Sequence, residues 1–189
     1  LLFFGSIVAY KRLGTLVRAF ADWVARNPET STTLRIMGKM SQNAPDTDFL
    51  AALEEIPDDL RARITYEDRF LDEAELAREV ARAQLVVLPY GKVLNSGSAL
   101  YALSLDTPLL ATRIALFEEL RSEVGEAWIS LFDDTLDAEA LAQAIRATRT
   151  TRPLWRTSGW GRGARRGVPG MGRGAKPAPN RATRSSVGS

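Results

Sequence analysis

None of the 189 residues is cysteine and none is histidine. The first absence rules out disulfides and thiol redox chemistry. The second removes imidazole general bases, and together they remove the commonest zinc-site ligands. Any histidine-dependent step would have to come from another chain or from sequence outside this one. No apolar run approaches the roughly 20 residues needed to span a bilayer, and the N-terminus lacks the basic stretch of a signal peptide. The expected location is therefore cytoplasmic. Acidic residues are missing from the end of the chain. All 23 lie within residues 1–151 together with 16 of the 25 Lys and Arg, a net of −7, whereas 152–189 carries nine basic residues and no acid. The formal total of +2 hides this junction of two different polymers near Thr151.

What is present begins abruptly. Leu1-Leu2-Phe3-Phe4, bounded by Gly5, reads as an interior strand, so the sequence is expected to start inside a longer protein. Leu13, Leu16, Val17, Phe20, Trp23 and Val24 then recur at helical spacing. A strand is expected over 33–38, an acidic helix over 46–56 ended by Pro57, a short strand over 63–66, and a helix capped by Asp72 with Glu75 three residues on. Leu85 to Leu88 is an unbroken apolar run of the kind covered on both faces. Helices at 99–105, 117–124 and 138–148 alternate with strands at 108–111 and 127–131. Alternation of this kind predicts an α/β fold with a doubly wound parallel sheet, whose ligands bind beyond the carboxyl ends of the strands.

Domain organisation follows the composition: an ordered domain over 1–151 and a tail over 152–189. The tail holds 8 of the 14 glycines with prolines, serines and arginines and has no apolar period. Such a segment cannot offset its ordering entropy and is expected to be disordered. Its stretch from Gly161 to Gly167 has the arginine content of segments that attach to phosphate backbones. A loosely constrained extension is the simpler reading, and nucleic acid is not an expected partner.

Two loops leave the carboxyl ends of expected strands. In the first, Gly5-Ser6 lets backbone approach a ligand and Lys11 can reach a phosphate as a point charge; equally, Lys11 and Arg12 can be the solvated start of a helix. In the second, Tyr90 is followed by Asn95-Ser96-Gly97-Ser98 at a helix start. That turn either cradles an anion on its free N–H groups or simply caps a helix. Tyr90 can stack on a base or sugar, or close a strand end as a half-buried ring. Trp23 and Trp128 lie on apolar faces and are expected in the core.

The order of these landmarks is more specific than any one of them. Phe4-Gly5, Tyr10-Lys11 before Leu13-Gly14, Leu34-Arg35-Ile36-Met37-Gly38, Arg69-Phe70-Leu71, Val86-Val87-Leu88-Pro89-Tyr90, and Thr107-Pro108-Leu109-Leu110-Ala111-Thr112 before Phe117-Glu118-Glu119-Leu120 occur in sequence. The series resembles the C-terminal, donor-binding half of GT-B glycosyltransferases of group 1, similar to family 4, and covers about residues 1–150. In that family two Rossmann-like domains face each other across a cleft, and the C-terminal one holds a nucleotide-diphosphate sugar.

The resemblance implies that Lys11 is the catalytic cation on the donor phosphates, that Phe70 lies near the base, and that Ser96-Gly97-Ser98 donates N–H and hydroxyl groups to the diphosphate. Gly5, Ser6, Tyr90 and Asn95 complete the implied donor site. No cofactor and no metal is implied, since a lysine and a helix N-terminus can stabilise the leaving diphosphate. A glycan or lipid-linked acceptor would be met by the other domain, and a lipid-linked one would bring the enzyme to the inner face of a membrane. Departures from the family are Ser6, where many members have arginine, and Val93 and Tyr101, where many retaining members have glutamates. Glu118 and Glu119 are expected to serve the helix rather than the reaction. The alternative reading is a non-catalytic α/β module that binds a nucleotide or a protein.

Overall fold

A computed structural model describes the backbone of residues 1–158 and the side chains of residues 1–148. Six strands, β1 (Leu2–Phe4), β2 (Leu34–Met37), β3 (Ile64–Glu67), β4 (Val86–Leu88), β5 (Leu109–Thr112) and β6 (Ile129–Phe132), form one sheet in the order β3-β2-β1-β4-β5-β6. All five pairings are parallel. Helices α1 (Leu13–Arg26), α2 (Thr47–Glu55), α3 (Asp58–Arg61), α4 (Glu73–Arg82), α5 (Gly97–Ser104) and α6 (Ala115–Val124) lie in the crossovers, and α7 (Ala138–Ser158) follows the last strand. This is the expected doubly wound α/β arrangement.

Burial explains the sequence pattern. Every residue of β1, β4 and β5 is buried, as central strands covered on both faces require. Helix α1 turns Leu13, Leu16, Val17, Phe20, Trp23 and Val24 inward, and all six are buried. Trp128 is only half-buried, packed on the rim of the core.

The strand order places a topological switch between β1 and β4. The chain steps outward from β1 through β2 to β3, then returns to the other side of β1. The loops after β1 and β4 therefore diverge from adjacent strand ends and leave a crevice between them.

Two elements differ from expectation. The single-turn α3, following Pro57, is too short to show a period. Helix α7 continues to Ser158 and so crosses the compositional boundary at 151–152. The remainder of the expected disordered tail, 159–189, lies outside the described residues. Among the described residues no helix is long and apolar enough to cross a membrane.

Candidate functional site

Three groups converge at the crevice. Gly5 ends β1 with φ +115°, a conformation that glycine adopts freely. A Cβ there would lie 3.3 Å from both Lys11 Nζ and Ser98 Oγ, so the cation of the first loop and the hydroxyl of the second meet over a bare backbone. Ser96 caps α5, its hydroxyl accepting from the Ala99 N–H at 3.2 Å. The other N–H groups of that first turn have no intrahelical partner and carry the positive end of the helix dipole. A Cβ on Gly97 would meet nothing within 4 Å, so the turn presents open space.

Lys11 is the unusual group. It is 6% exposed, and no carboxylate pairs with it among the described residues. Its Nζ lies 5.4 Å from the Phe3 ring centroid and 5.3 Å from that of Tyr90. Cation–π attraction from two rings compensates part of the lost hydration. Burial nonetheless pushes the ammonium down from 10.5 to about 8. A buried cation without a counter-ion is stabilised by any anion that reaches it.

The backbone that holds Lys11 is itself tied down. A 3₁₀ turn, Ala9–Lys11, ends at Arg12 in the left-handed region (φ 52°, ψ 44°), and α1 starts directly after it. The buried Asp46 carboxylate accepts from the Leu13 N–H at 3.3 Å and the Phe49 N–H at 3.0 Å, holding the starts of α1 and α2 together. Gly14 allows that approach, since a Cβ there would come within 2.0 Å of the Asp48 carboxylate. Across the crevice the Gly91 N–H donates to the Tyr10 carbonyl at 2.8 Å, locking the two loops to each other.

Tyr90 is 2% exposed, with rings of Phe3, Tyr10 and Phe117 around it. Burial pushes its phenol up to about 12, with the Ser98 and Ser96 hydroxyls pulling the other way.

The structure thus brings together Gly5, Lys11, Tyr90, Ser96, Gly97 and Ser98 and leaves three expected residues apart. Ser6 is exposed beside Gly5. Asn95 lines a cavity of about 660 Å³ with Tyr10, Lys92, Val93, Leu94 and Ile114, and the lining does not include Lys11 or Ser98. Phe70 is 81% exposed, in the loop after β3, a strand that stands two places from β1 in the sheet. Val93 lines that cavity and Tyr101 packs edge-on to Phe4 at 6.0 Å, so neither offers a carboxylate. Glu118 pairs with Arg113 at 3.7 Å.

Two contributors escaped the sequence reading. Gly38 (φ +155°) ends β2, and a Cβ there would lie 1.9 Å from the Gly5 carbonyl oxygen; the signal was its match to Gly5 at a neighbouring strand end. Asp46 was legible as a helix start, but not as an acceptor for Leu13, 33 residues earlier.

Comparison with known proteins gives a consistent placement. Residues 1–150 match the family described as glycosyl transferases group 1. A GDP-mannose:glycolipid 4-beta-D-mannosyltransferase of Xanthomonas campestris pv. campestris is 36% identical over 149 residues, 79% of this chain and 40% of the relative. The chain therefore spans about 40% of the length of the curated relatives it matches. Among solved structures, sucrose-phosphate synthase from Thermosynechococcus elongatus superposes with a TM-score of 0.64 at 24% identity, covering 85% of this chain and 38% of the other. WaaG, a glycosyltransferase involved in lipopolysaccharide biosynthesis, gives a TM-score of 0.61 at 21% identity, covering 87% and 40%. These likenesses are of fold, and the family match extends over the whole sheet with both site loops: the chain belongs to the group 1 glycosyl transferases.

Proposed function

We propose that this chain is the donor-binding half of a glycosyltransferase that moves a sugar from a nucleoside-diphosphate donor to a glycan or lipid-linked acceptor. The observation that carries the reading is Lys11: a buried ammonium without a counter-ion, 3.3 Å from the position a Cβ of Gly5 would occupy, opposite the Ser98 hydroxyl and the start of α5. A diphosphate satisfies all three at once. GDP-mannose is the donor to test first, because the 36%-identical relative uses it by name.

In the reaction the bond between the anomeric carbon and the diphosphate oxygen breaks, and its electron pair stays on that oxygen. The Lys11 ammonium and the α5 N–H groups stabilise the charge that develops there. The acceptor hydroxyl attacks the anomeric carbon and gives up its proton. Val93 and Tyr101 cannot take that proton, so in this reading the base lies outside these two positions.

Titration calorimetry of the 189-residue chain with GDP, UDP and ADP tests the donor site. Saturable binding of one nucleotide, weakened by Lys11→Met and by Ser98→Ala, is the expected result. Absence of binding by all three at millimolar concentration would move the reading to a non-catalytic module.

A further inference from the structure

We infer that Arg12 is a positioning residue of the donor site, seated on Gly91 so that the two loops of the anion cradle keep a fixed separation. The inference rests on the donor-binding reading and extends it to a side chain outside the cradle. A Cβ on Gly91 would come within 2.8 Å of Arg12 Nε and 3.0 Å of its Cζ and Nη2, so the guanidinium fills the space that a side chain there would take. Its Nη1 donates to the Asp134 carbonyl at 3.1 Å, in the loop after β6. No carboxylate pairs with Arg12 among the described residues, so backbone alone seats it. Arg12 and Asp134 are two of the three non-glycine residues with left-handed backbone among those described, at φ 52° and 47°. Such conformations persist where neighbouring structure holds them, and this hydrogen bond joins the two.

Both chain neighbours of Lys11 hold Gly91. Its N–H donates to the Tyr10 carbonyl at 2.8 Å, and Arg12 covers its α-carbon. Beyond it, none of Lys92, Val93, Leu94 and Asn95 makes a hydrogen bond among the described residues, until Ser96 caps α5. The stretch that leads to the Ser96–Ser98 turn is therefore fastened at its two ends, and its first end is the joint with the Lys11 loop. A loop already held in its bound arrangement takes up an anion without a further ordering cost.

Gly91→Ala separates the seat from the charge. Gly91 has no positive φ, so alanine suits the backbone, and its methyl displaces the flexible guanidinium while the charge stays on the protein. The test is a double-mutant cycle on GDP binding by the full chain, read by calorimetry. Arg12→Ala and Gly91→Ala are each expected to weaken binding about three- to tenfold. Because both remove one contact, the double variant is expected to bind within about twofold of either single one. A role in stability alone would lower the urea midpoint and leave the dissociation constant in place. An unchanged dissociation constant in Gly91→Ala, or additive losses in the double variant, would overturn the inference. A chain that binds none of GDP, UDP and ADP would sink the donor-binding reading instead. In that case amide exchange of the ligand-free chain decides: faster exchange of the Gly91 N–H in Arg12→Ala supports the joint, and unchanged exchange refutes it.

Discussion

At Lys11 the folded state holds its ammonium at about 8, below its ordinary 10.5, because burial disfavours the charged form. The sign of the consequence follows. The folded protein binds this proton less tightly than the unfolded chain, so a stability cost is present at pH 7 and disappears as pH rises from about 8 toward 10.5. Lys11→Met is accordingly expected to stabilise the ligand-free protein at pH 7 by on the order of 1–3 kcal/mol, read by urea denaturation, while losing nucleotide affinity. An anion needs the charged form, so GDP affinity is expected to be level between about pH 7 and 8, where the terminal phosphate is already ionised, and to fall up to tenfold per unit above it. Lys11→Arg, charged throughout, should flatten that profile. A level wild-type profile between pH 8 and 10 would remove Lys11 from the site. Gly38→Ala is a different matter, since its Cβ would meet a backbone oxygen at 1.9 Å and nothing flexible can yield. A loss of about 2–4 kcal/mol in the same denaturation experiment is expected. Lys11 was legible because its loop follows a strand ending in glycine. Its burial was not, because Phe3 and Tyr90 come to it from residues 8 before and 79 after.

The helices were legible where local chemistry marks them. Asp72 accepts the Glu75 N–H at 2.7 Å, as its spacing predicted, and Ser96 caps α5 in the same manner. Strand boundaries shifted by a residue or two, because pairing partners and not composition decide where a parallel ladder ends. The joint role of Asp46 was illegible for a related reason: a carboxylate caps the helix that follows it in any sequence, while its second donor, Leu13, arrives only through the packing of α1 on α2. Two buried N–H groups lose their acceptor in Asp46→Ala. The expected cost is about 2–4 kcal/mol, more than the roughly 1 kcal/mol of a single exposed cap such as Asp72→Ala. Thermal or urea unfolding of the two variants side by side would show it. Equal losses would mean that the Leu13 hydrogen bond at 3.3 Å contributes nothing.

For the molecule as a whole, the parallel order β3-β2-β1-β4-β5-β6 puts a crevice at the carboxyl ends of β1 and β4. In the proposed reading the cation, the glycine and the helix N-terminus beside that crevice serve the leaving diphosphate rather than the attacking hydroxyl. The proposed roles assign none of these residues to an acceptor, and the chain spans about 40% of its curated relatives. Binding and turnover should therefore separate. The 189-residue chain is expected to bind GDP-mannose as well as GDP, since both present a guanosine and a diphosphate, with GDP carrying one further negative charge on its free terminal phosphate. With a glycolipid acceptor present, it should release GDP no faster than buffer does. A chimera carrying the remaining portion of the mannosyltransferase relative should release GDP in proportion to added acceptor, and Lys11→Met should slow that release. Phosphorus NMR distinguishes GDP from GDP-mannose and follows both experiments. Acceptor-dependent release by the short chain would instead mean that this half also binds the acceptor. The cavity lined by Tyr10, Val93, Leu94 and Ile114 would then be the first place to look for it.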